Sequence, residues 1–254
     1  MTLDRSDTAI YCCQTHAKKR NSSAVTPFGP ALWLFDGPAV TGAAGFQFPT
    51  RMAVIRLPGD GGLWIWSPVA LTQDVRVAID ALGPVHHLVA PNNLHHMFLA
   101  QWAAAYPDAR VHAAPGLTQQ ITGTAIHSTM GDDSDPAWAG AVDQVAVRGN
   151  RITTEVVFFH QESATVLVTD LVQQIPQGWY RGWRAVVARL DLMTAPVPSV
   201  PRKFRIATID KASARDDVKR ILEWPARRLV MAHGTPMQSG AKEALQQAFN
   251  WLMR

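Results

Sequence analysis

The order of the apolar segments constrains the fold of this chain more than any other feature of its sequence. Residues 52–57 and 63–66 are apolar runs that flank the turn sequence Pro-Gly-Asp-Gly-Gly, and this pattern predicts a β-hairpin. Predicted strands then alternate with predicted helices, and a final helix over about 240–253 has apolar residues along one face. This order predicts an α/β fold in which mixed β-sheets are flanked by helices.

The same periodicities give the remaining elements. Helices are predicted over residues 73–82 and 95–105, and a third is predicted after a Ser213 N-cap. A first short strand is predicted in the sequence LWLFD after Ala31, and the later predicted strands are 85–90, 110–113, 155–159, 165–169 and 229–232. Residues 173–183 are expected to be irregular, and residues 194–205 are expected to form a proline-rich surface loop.

Composition limits the class of protein. The chain has 254 residues, of which 47% are hydrophobic and only 17% charged, so it is long and apolar enough to bury a large core. No run reaches the roughly 18–20 apolar residues that a membrane span requires. We expect a flexible extension over residues 1–28 and one domain over residues 29–254.

The first residues also bear on localisation. They lack the apolar core of a secretory signal, so a cytoplasmic protein is expected. The two cysteines, Cys12 and Cys13, are adjacent and form no disulfide framework, which agrees with this expectation. They either belong to the extension without a specific role or form a metal or redox pair.

Positive charge is concentrated in residues 181–228. This stretch holds twelve lysines and arginines against five acids, a net charge of +7. Such a surplus could attract an anionic substrate or nucleic acid, or it could form a solvated face. No nucleic-acid-binding motif accompanies it, so nucleic acid is the less favoured partner.

Histidine and aspartate side chains follow several of the predicted strands directly. They are His95, His96, His160, Asp170 and His233. Side chains just past the carboxyl ends of buried strands lie at the mouth of a layered α/β fold, where ligand sites form. A single histidine in such a place is usually a hydrogen-bonded structural residue, but several together predict a site for a divalent metal such as Zn²⁺.

This order of segments resembles the metallo-β-lactamase superfamily, and the resemblance covers roughly residues 30–252. It implies an αββα sandwich of two mixed β-sheets flanked by helices, with the metal site along one edge. The segment APNNLHHMFLAQWAAAYPDARVHAAPGL is similar to a diverged branch of unknown function, the DUF4336 family. The SPVALT and AHGTPM segments fit the same comparison.

The chain departs from the superfamily's H-x-H-x-D-H motif, which falls on residues 91–96. Only His96 matches, since Pro91 and Asn93 stand where the first metal site has its two histidines, and His95 stands at the aspartate position. A register slip of one residue would exchange the roles of His95 and His96. The resemblance assigns His160 to the later histidine, Asp170 to the bridging aspartate and His233 to the final histidine.

The resemblance implies a reduced site with one divalent metal, held by His96, Asp170 and His233 with His95 beside them. Zinc is the first candidate, and iron or manganese accept the same ligands. Such a site suits a hydrolase-like activity on an ester, thioester, amide or phosphodiester. The catalytic base is unknown, and the acidic candidates are Asp132, Asp133 and Asp135. The alternative is an inactive, metal-free member that binds a small molecule or a partner.

Two tryptophans are candidates for the wall of a substrate pocket. Trp179 and Trp183 lie in the irregular stretch that follows Asp170, close in sequence to the basic residues. Aromatic walls beside cationic residues suit an anionic small molecule with an apolar part. Buried packing is the alternative for both tryptophans, and the oligomeric state is open.

Overall fold

The computed structural model describes residues 25–121 and 123–254. The Cys12–Cys13 pair, and residues 1–24 of the predicted extension, lie outside the described residues. The first strand begins at Thr26 and ends at Gly29, so it starts before the boundary predicted at residue 29.

The described chain contains eleven strands and six α-helices. The strands are β1 (Thr26–Gly29), β2 (Leu32–Thr41), β3 (Gln47–Arg56), β4 (Leu63–Trp66), β5 (Val85–Ala90), β6 (Arg110–Ala113), β7 (Ser128–Thr129), β8 (Val142–Val147), β9 (Glu155–His160), β10 (Thr165–Val168) and β11 (Arg228–Met231). The helices are α1 (Gln73–Leu82), α2 (Leu99–Ala105), α3 (Trp183–Leu190), α4 (Arg202–Ala207), α5 (Lys211–Glu223) and α6 (Ala241–Met253). None of the helices in this part of the chain is long and apolar enough to cross a membrane.

The strands form two mixed sheets. The first sheet has the order β1-β2-β3-β4-β5-β6-β7, with antiparallel pairs up to β4 and parallel pairs after it. The predicted hairpin is confirmed as the antiparallel pair β3–β4. The second sheet has the order β11-β10-β9-β8, in which only β10 and β11 are parallel.

The hydrophobic core is divided into three layers, which confirm the predicted αββα sandwich. The layer between the sheets includes Trp64, Trp66 and Phe158, all fully buried. The outer face of the seven-stranded sheet packs on α1 and α2, and the outer face of the four-stranded sheet packs on α5 and α6. Alternate residues of the inner strands therefore enter opposite layers, as the period of two in a strand requires.

Helices α2 and α5 begin elsewhere than predicted. Helix α2 starts at Leu99 instead of residue 95, because Asn92 Oδ1 accepts hydrogen bonds from the backbone N–H groups of Leu94 and His95 and holds a turn there. Helix α5 is capped by Asp210, whose side chain accepts from the Ser213 N–H, so the predicted Ser213 cap lies inside the helix.

Two short helices lie where irregular structure was predicted. Helix α3 begins at the end of the stretch 173–183, and α4 occupies the end of the proline-rich loop 194–205. The two are joined at Asp191, whose carbonyl and carboxylate accept from the backbone N–H groups of Arg202 and Lys203. These contacts are between distant residues, so local sequence patterns did not reveal them.

Candidate metal centre

Three side chains meet at the edge where the carboxyl ends of the parallel strand pairs lie. Asp170 follows β10 and His233 follows β11, and these neighbouring parallel strands end side by side. His95 comes from the turn after β5 of the other sheet. The edge is closed by hydrogen bonds between the sheets, including those from Arg51 Nη1 to the carbonyls of Met231 and Gly234.

The ligand atoms of these three side chains have the spacing that a metal site requires. His95 Nε2 lies 3.1 Å from His233 Nε2 and 3.2 Å from Asp170 Oδ2, and His233 Nε2 lies 3.5 Å from Asp170 Oδ1. Two ligands held about 2.0–2.1 Å from one ion at a tetrahedral angle are about 3.3 Å apart. Imidazole nitrogen and carboxylate oxygen are also the donors that Zn²⁺, Fe²⁺ and Mn²⁺ accept, so these residues fit a divalent cation.

Both histidines are oriented through their second ring nitrogen. His233 Nδ1 donates to the carbonyl oxygen of Pro49 at 2.7 Å, which leaves the neutral ring's Nε2 as the unprotonated nitrogen that faces the cluster. His95 Nδ1 lies 2.8 Å from Ser67 Oγ. Ser67 is 4% exposed and adopts a φ of 51°, an uncommon conformation for a residue with a side chain. Such partners fix the ring orientation of metal-binding histidines.

Asn92 connects the histidine turn to the carboxylate. It is fully buried, and its amide nitrogen lies 2.9 Å from Asp170 Oδ2 and 2.8 Å from Thr169 Oγ1. Its oxygen accepts the backbone N–H groups of Leu94 and His95 at 2.7 and 2.9 Å. One amide side chain therefore positions both His95 and Asp170.

A buried glutamate that the sequence analysis missed lies behind Asp170. Glu155, at the start of β9, accepts hydrogen bonds from the backbone N–H groups of Thr169, Asp170 and Leu171 at 2.6, 2.8 and 3.1 Å. It is fully buried and also lies within hydrogen-bond distance of the Asn92 amide. The available signal was an acidic residue at the head of the apolar run EVVFFH, where a charge needs partners to be buried.

The local electrostatics favour a charged Asp170. Burial acts to raise its pKa, but the charges of His95 and His233 and their hydrogen bonds hold the pKa well below its usual value. Burial and the charge of Asp170 raise the pKa of Glu155 to about 7. Burial lowers the pKa of His95, so its neutral form, the form that binds metals, is favoured.

The neighbouring histidine, His96, is not part of this cluster. It was the one residue that matched the superfamily motif in the register used above, but the structure brings His95 to Asp170 and His233 instead. His96 is half-buried, and desolvation lowers its pKa. The Asn92 turn determines which of the two adjacent rings faces the cluster, and this agrees with the alternative in which their roles are exchanged.

The prediction that His160 joins the site needs correction. Strands β9 and β10 are antiparallel, and His160 pairs with Thr165 at the start of β10, while Asp170 follows the end of β10. His160 therefore lies at the opposite end of the sheet, where its Nδ1 is 2.7 Å from Ser163 Oγ. The start of β9 is what reaches the cluster, and it contributes Glu155.

The acidic loop residues proposed as bases are not at the site either. Asp132 forms ion pairs with Arg148 and Arg220 at 3.1 and 3.2 Å, and Asp135 accepts the Ala137 N–H. Neither these two residues nor Asp133 line the cavity at the cluster. A base has to reach the substrate by a direct or water-mediated hydrogen bond, and none of the three lines the cavity in which the substrate would lie.

An apolar cavity of about 540 Å³ opens beside His95, Asp170 and His233. Trp179 and Trp183 do not line it. Trp183 packs edge-on against Phe46, a lining residue, at 5.6 Å between ring centroids, while Trp179 Nε1 donates to the Gln47 carbonyl. The two tryptophans therefore support the wall from outside.

Comparison with known sequences gives one family match. Residues 30–180 match the family described as a domain of unknown function, DUF4336. A search of curated proteins finds no match to this chain.

Solved structures with a similar fold include several metallo-β-lactamases. The enzyme from Pontibacter korlensis superposes with a TM-score of 0.59 and 13% identity over 91% of this chain and 99% of its own. FIM-1 from Pseudomonas aeruginosa, in a mono-zinc form, superposes with a TM-score of 0.61 and 11% identity over 91% of this chain and 96% of its own. For the metallo-β-lactamase from Erythrobacter litoralis the TM-score is 0.60 and the identity 12%, over 92% of this chain and 93% of its own. At these identities the likeness establishes the fold.

Proposed function

Because the chain belongs to the DUF4336 family and has the metallo-β-lactamase fold, we propose that it is a metal-dependent hydrolase-like protein. One divalent cation would be held by His95, Asp170 and His233. Zinc is the first candidate, and iron or manganese are accepted by the same donors. The proposed substrate carries an ester, thioester, amide or phosphodiester bond.

The convergence of three ligand atoms in a buried, supported cluster carries this proposal. Each ligand has its own second contact, namely Ser67 for His95, Pro49 for His233 and Asn92 for Asp170. Hydrogen bonds of this kind keep ligands in place before a metal arrives, and they are typical of metal sites. The Asp170 carboxylate lies 3.2 and 3.5 Å from the two rings, so all three donor atoms are close enough to share one cation.

The chain's own residues leave space for a substrate on the open side of the cluster. A cation bound there would act as a Lewis acid toward the carbonyl or phosphoryl oxygen of the bond to be cleaved. Asp170 holds its charge because of its histidine partners, and the apolar side chains of the cavity can pack against the substrate on either side of that bond. Ser67 also lines this cavity, so its hydroxyl lies where it can donate to a substrate oxygen.

Metal analysis of the purified protein tests the proposal. Protein prepared without added metal and then equilibrated with one equivalent of Zn²⁺ is expected to retain about one ion per chain after gel filtration. His233→Ala and Asp170→Asn are expected to lose it, because each removes one of three ligands. Retention of a full equivalent by both variants, or no retention by the parent protein, would contradict the proposal.

The adjacent histidines provide a matched control. His95→Gln is expected to abolish binding, while His96→Gln is expected to leave the stoichiometry unchanged, since only the His95 ring belongs to the cluster. Loss of binding in His96→Gln but not in His95→Gln would show that His96 is the ligand instead of His95. Circular dichroism of both variants separates loss of the site from loss of the fold.

A second function, binding without hydrolysis, is favoured by one specific observation. Pro91 and Asn93 occupy positions that would need histidines for a second metal, and Asp170 and Asp191 are the only acids among the described residues that line the cavity. Asp191 is already paired with Lys203 at 3.3 Å. Under this alternative the zinc-loaded protein binds cavity ligands but releases no product from ester or phosphodiester substrates.

A further inference from the structure

The cavity beside the cluster has a polar floor and an apolar mouth. At the floor, Ser67, Asp170 and His233 are 4–5% exposed. At the mouth, Leu94 and Met97 are 49% and 59% exposed although both are large and apolar. A ligand with one polar end and one apolar end would match this gradient, with its polar end at the cluster.

The apolar walls come from separate parts of the fold. They include Phe46 just before β3 and Phe48 within it, Val187 from α3 and Met193 after that helix, and Phe204 from α4. Phe46, Met193 and Phe204 are buried at 9%, 2% and 1% exposure, so the walls are held by core packing. A largely preformed apolar cavity of several hundred cubic ångströms is typical of a small-molecule site.

Among the described residues, no side chain that lines the cavity offers a ligand an unpaired cation. Lys203 is the single lysine or arginine among the described residues that line it, and its Nζ lies 3.3 Å from Asp191 Oδ2. The same Nζ lies 5.5 Å from the ring centroids of Phe48 and Phe204, so its charge is already engaged. The arginines of residues 181–228 do not line the cavity, so the described side chains that line it offer an anionic group no unpaired positive charge beyond that of a cation held at the cluster.

We propose that the cavity binds the acyl chain of an uncharged ester-like substrate, with the carbonyl group at His95, Asp170 and His233. This inference rests on the proposed function for the identity of the reacting bond. The apolar chain would lie against the phenylalanine and methionine walls and extend toward Leu94 and Met97. The burial of each methylene against these walls would provide the affinity.

Other occupants fit the cavity less well. Residues 1–24, which lie outside the described part, contain three lysines and arginines in sequence at positions 18–20 and few long apolar runs. A segment of that composition would bring three neighbouring positive charges against walls that are mostly apolar. A macromolecular partner would contact an extended surface, whereas the polar cluster lies at the floor of a concave cavity.

Binding of methyl ketones tests the acyl site without any reaction. These compounds carry an uncharged carbonyl and an alkyl chain and cannot be hydrolysed. Titration calorimetry on metal-free and zinc-loaded protein is expected to give about a fourfold gain in affinity per added methylene, or on the order of 200-fold from 2-heptanone to 2-undecanone. Affinity that does not increase with chain length overturns the proposal.

Two neighbouring valines of α3 provide a matched pair of variants. Val187 lines the cavity and is 41% exposed, while Val186 is 59% exposed and does not line it. Val187→Asp is expected to weaken 2-undecanone binding at least about tenfold, because it places a charge in the apolar wall. Val186→Asp is expected to bind like the parent, and equal weakening by both variants would contradict the assignment of the cavity.

Charge selectivity and hydrolysis complete the test. In metal-free protein, decanoate is expected to bind about tenfold more weakly than 2-undecanone, because Asp170 repels its carboxylate, and equal binding overturns the preference for an uncharged ligand. If ketones bind with chain-length dependence but p-nitrophenyl acyl esters are not cleaved, the proposed function fails and the acyl site stands. If short and long acyl esters are cleaved equally well, hydrolysis stands and the acyl site fails.

Discussion

Replacing Asn92 with alanine should damage both the fold and the candidate metal centre. The fully buried side chain contacts Glu155, Thr169 and Asp170 through its nitrogen, and its oxygen accepts the N–H groups of Leu94 and His95. No other side chain in the described residues is hydrogen-bonded to both sides of the cluster in this way. Truncation removes the amide donor from Glu155, Thr169 and Asp170. It also leaves the Leu94 N–H without this acceptor and the His95 N–H with only its long contact of 3.4 Å to the Asn92 carbonyl.

The expected loss of stability follows from these contacts. A hydrogen bond to a charged group such as Asp170 contributes about 1.5–3 kcal/mol. The N–H of His95 loses a partner at a part-buried position, which costs about 1–2 kcal/mol, whereas Leu94 is exposed enough for water to replace the amide oxygen. The sum predicts that Asn92→Ala lowers the free energy of unfolding by about 2.5–5 kcal/mol, which lies at the upper end for single substitutions.

Urea unfolding measures this change, and the neighbouring asparagine is the control. Asn93 Nδ2 makes one long contact of 3.4 Å with the Ile152 carbonyl, so Asn93→Ala is expected to cost less than about 1 kcal/mol. Zinc affinity is expected to fall about 10–100-fold in Asn92→Ala, because both His95 and Asp170 lose a support. Equal unfolding midpoints for the two variants would refute the reasoning.

Two further predictions concern His87, His112 and Ser67. Burial lowers the pKa values of His87 and His112 from 6.5 to about 4. Between pH 4 and about 6.5 the unfolded chain therefore binds more protons than the folded one. The free energy of unfolding should fall as the pH decreases through this range, by up to about 3 kcal/mol per histidine. In His87→Gln the slope of unfolding free energy against pH should be smaller than in the parent. An unchanged slope would show that His87 does not contribute to this pH dependence. Ser67→Ala removes the partner of His95 Nδ1 and is expected to weaken zinc binding about 10–100-fold in a competition assay with a chelating dye, whereas unaltered affinity would exclude the supporting role.

Strand polarity explains which site residues the sequence could predict. Asp170 and His233 follow two apolar runs, and these runs are parallel neighbours in the structure, so their carboxyl ends share an edge. The rule that ligand sites form past the ends of parallel strands therefore predicted that both residues lie at the same edge. For His160 the same rule failed, because β9 is antiparallel to β10 and its carboxyl end lies at the other side of the sheet. Nothing in the apolar run itself reports whether its partner strand is parallel.

The supporting residues could not be predicted because their roles depend on distant contacts. Glu155 is separated from Asp170 by a hairpin, and it is recognised as a buried acceptor only when β9 and β10 are paired. The Asx turn of Asn92 is a local feature, and it determines that the ring of His95 instead of His96 faces the cluster. The orientation of the Asn92 amide, however, depends on its hydrogen bond to Asp170, which lies 78 residues away. A one-residue ambiguity in the sequence is thus resolved by tertiary hydrogen bonds.

The proton arrangement of the cluster shows why Ser67 suits this site. His233 donates from Nδ1 to the Pro49 carbonyl, so its Nε2 carries a lone pair and no proton when the ring is neutral. His95 Nε2 faces this nitrogen at 3.1 Å, so it must carry a proton unless a cation lies between the two nitrogens. In that metal-free state His95 Nδ1 accepts a hydrogen bond from the Ser67 hydroxyl. When a cation takes the place of that proton, His95 becomes the Nδ1–H tautomer and must donate. A hydroxyl can donate to Nδ1 in the metal-free state and accept from it in the metal-bound state. A carbonyl or carboxylate oxygen can only accept, so it would stabilise only the metal-binding tautomer, and an amide N–H can only donate, so it would stabilise only the metal-free one.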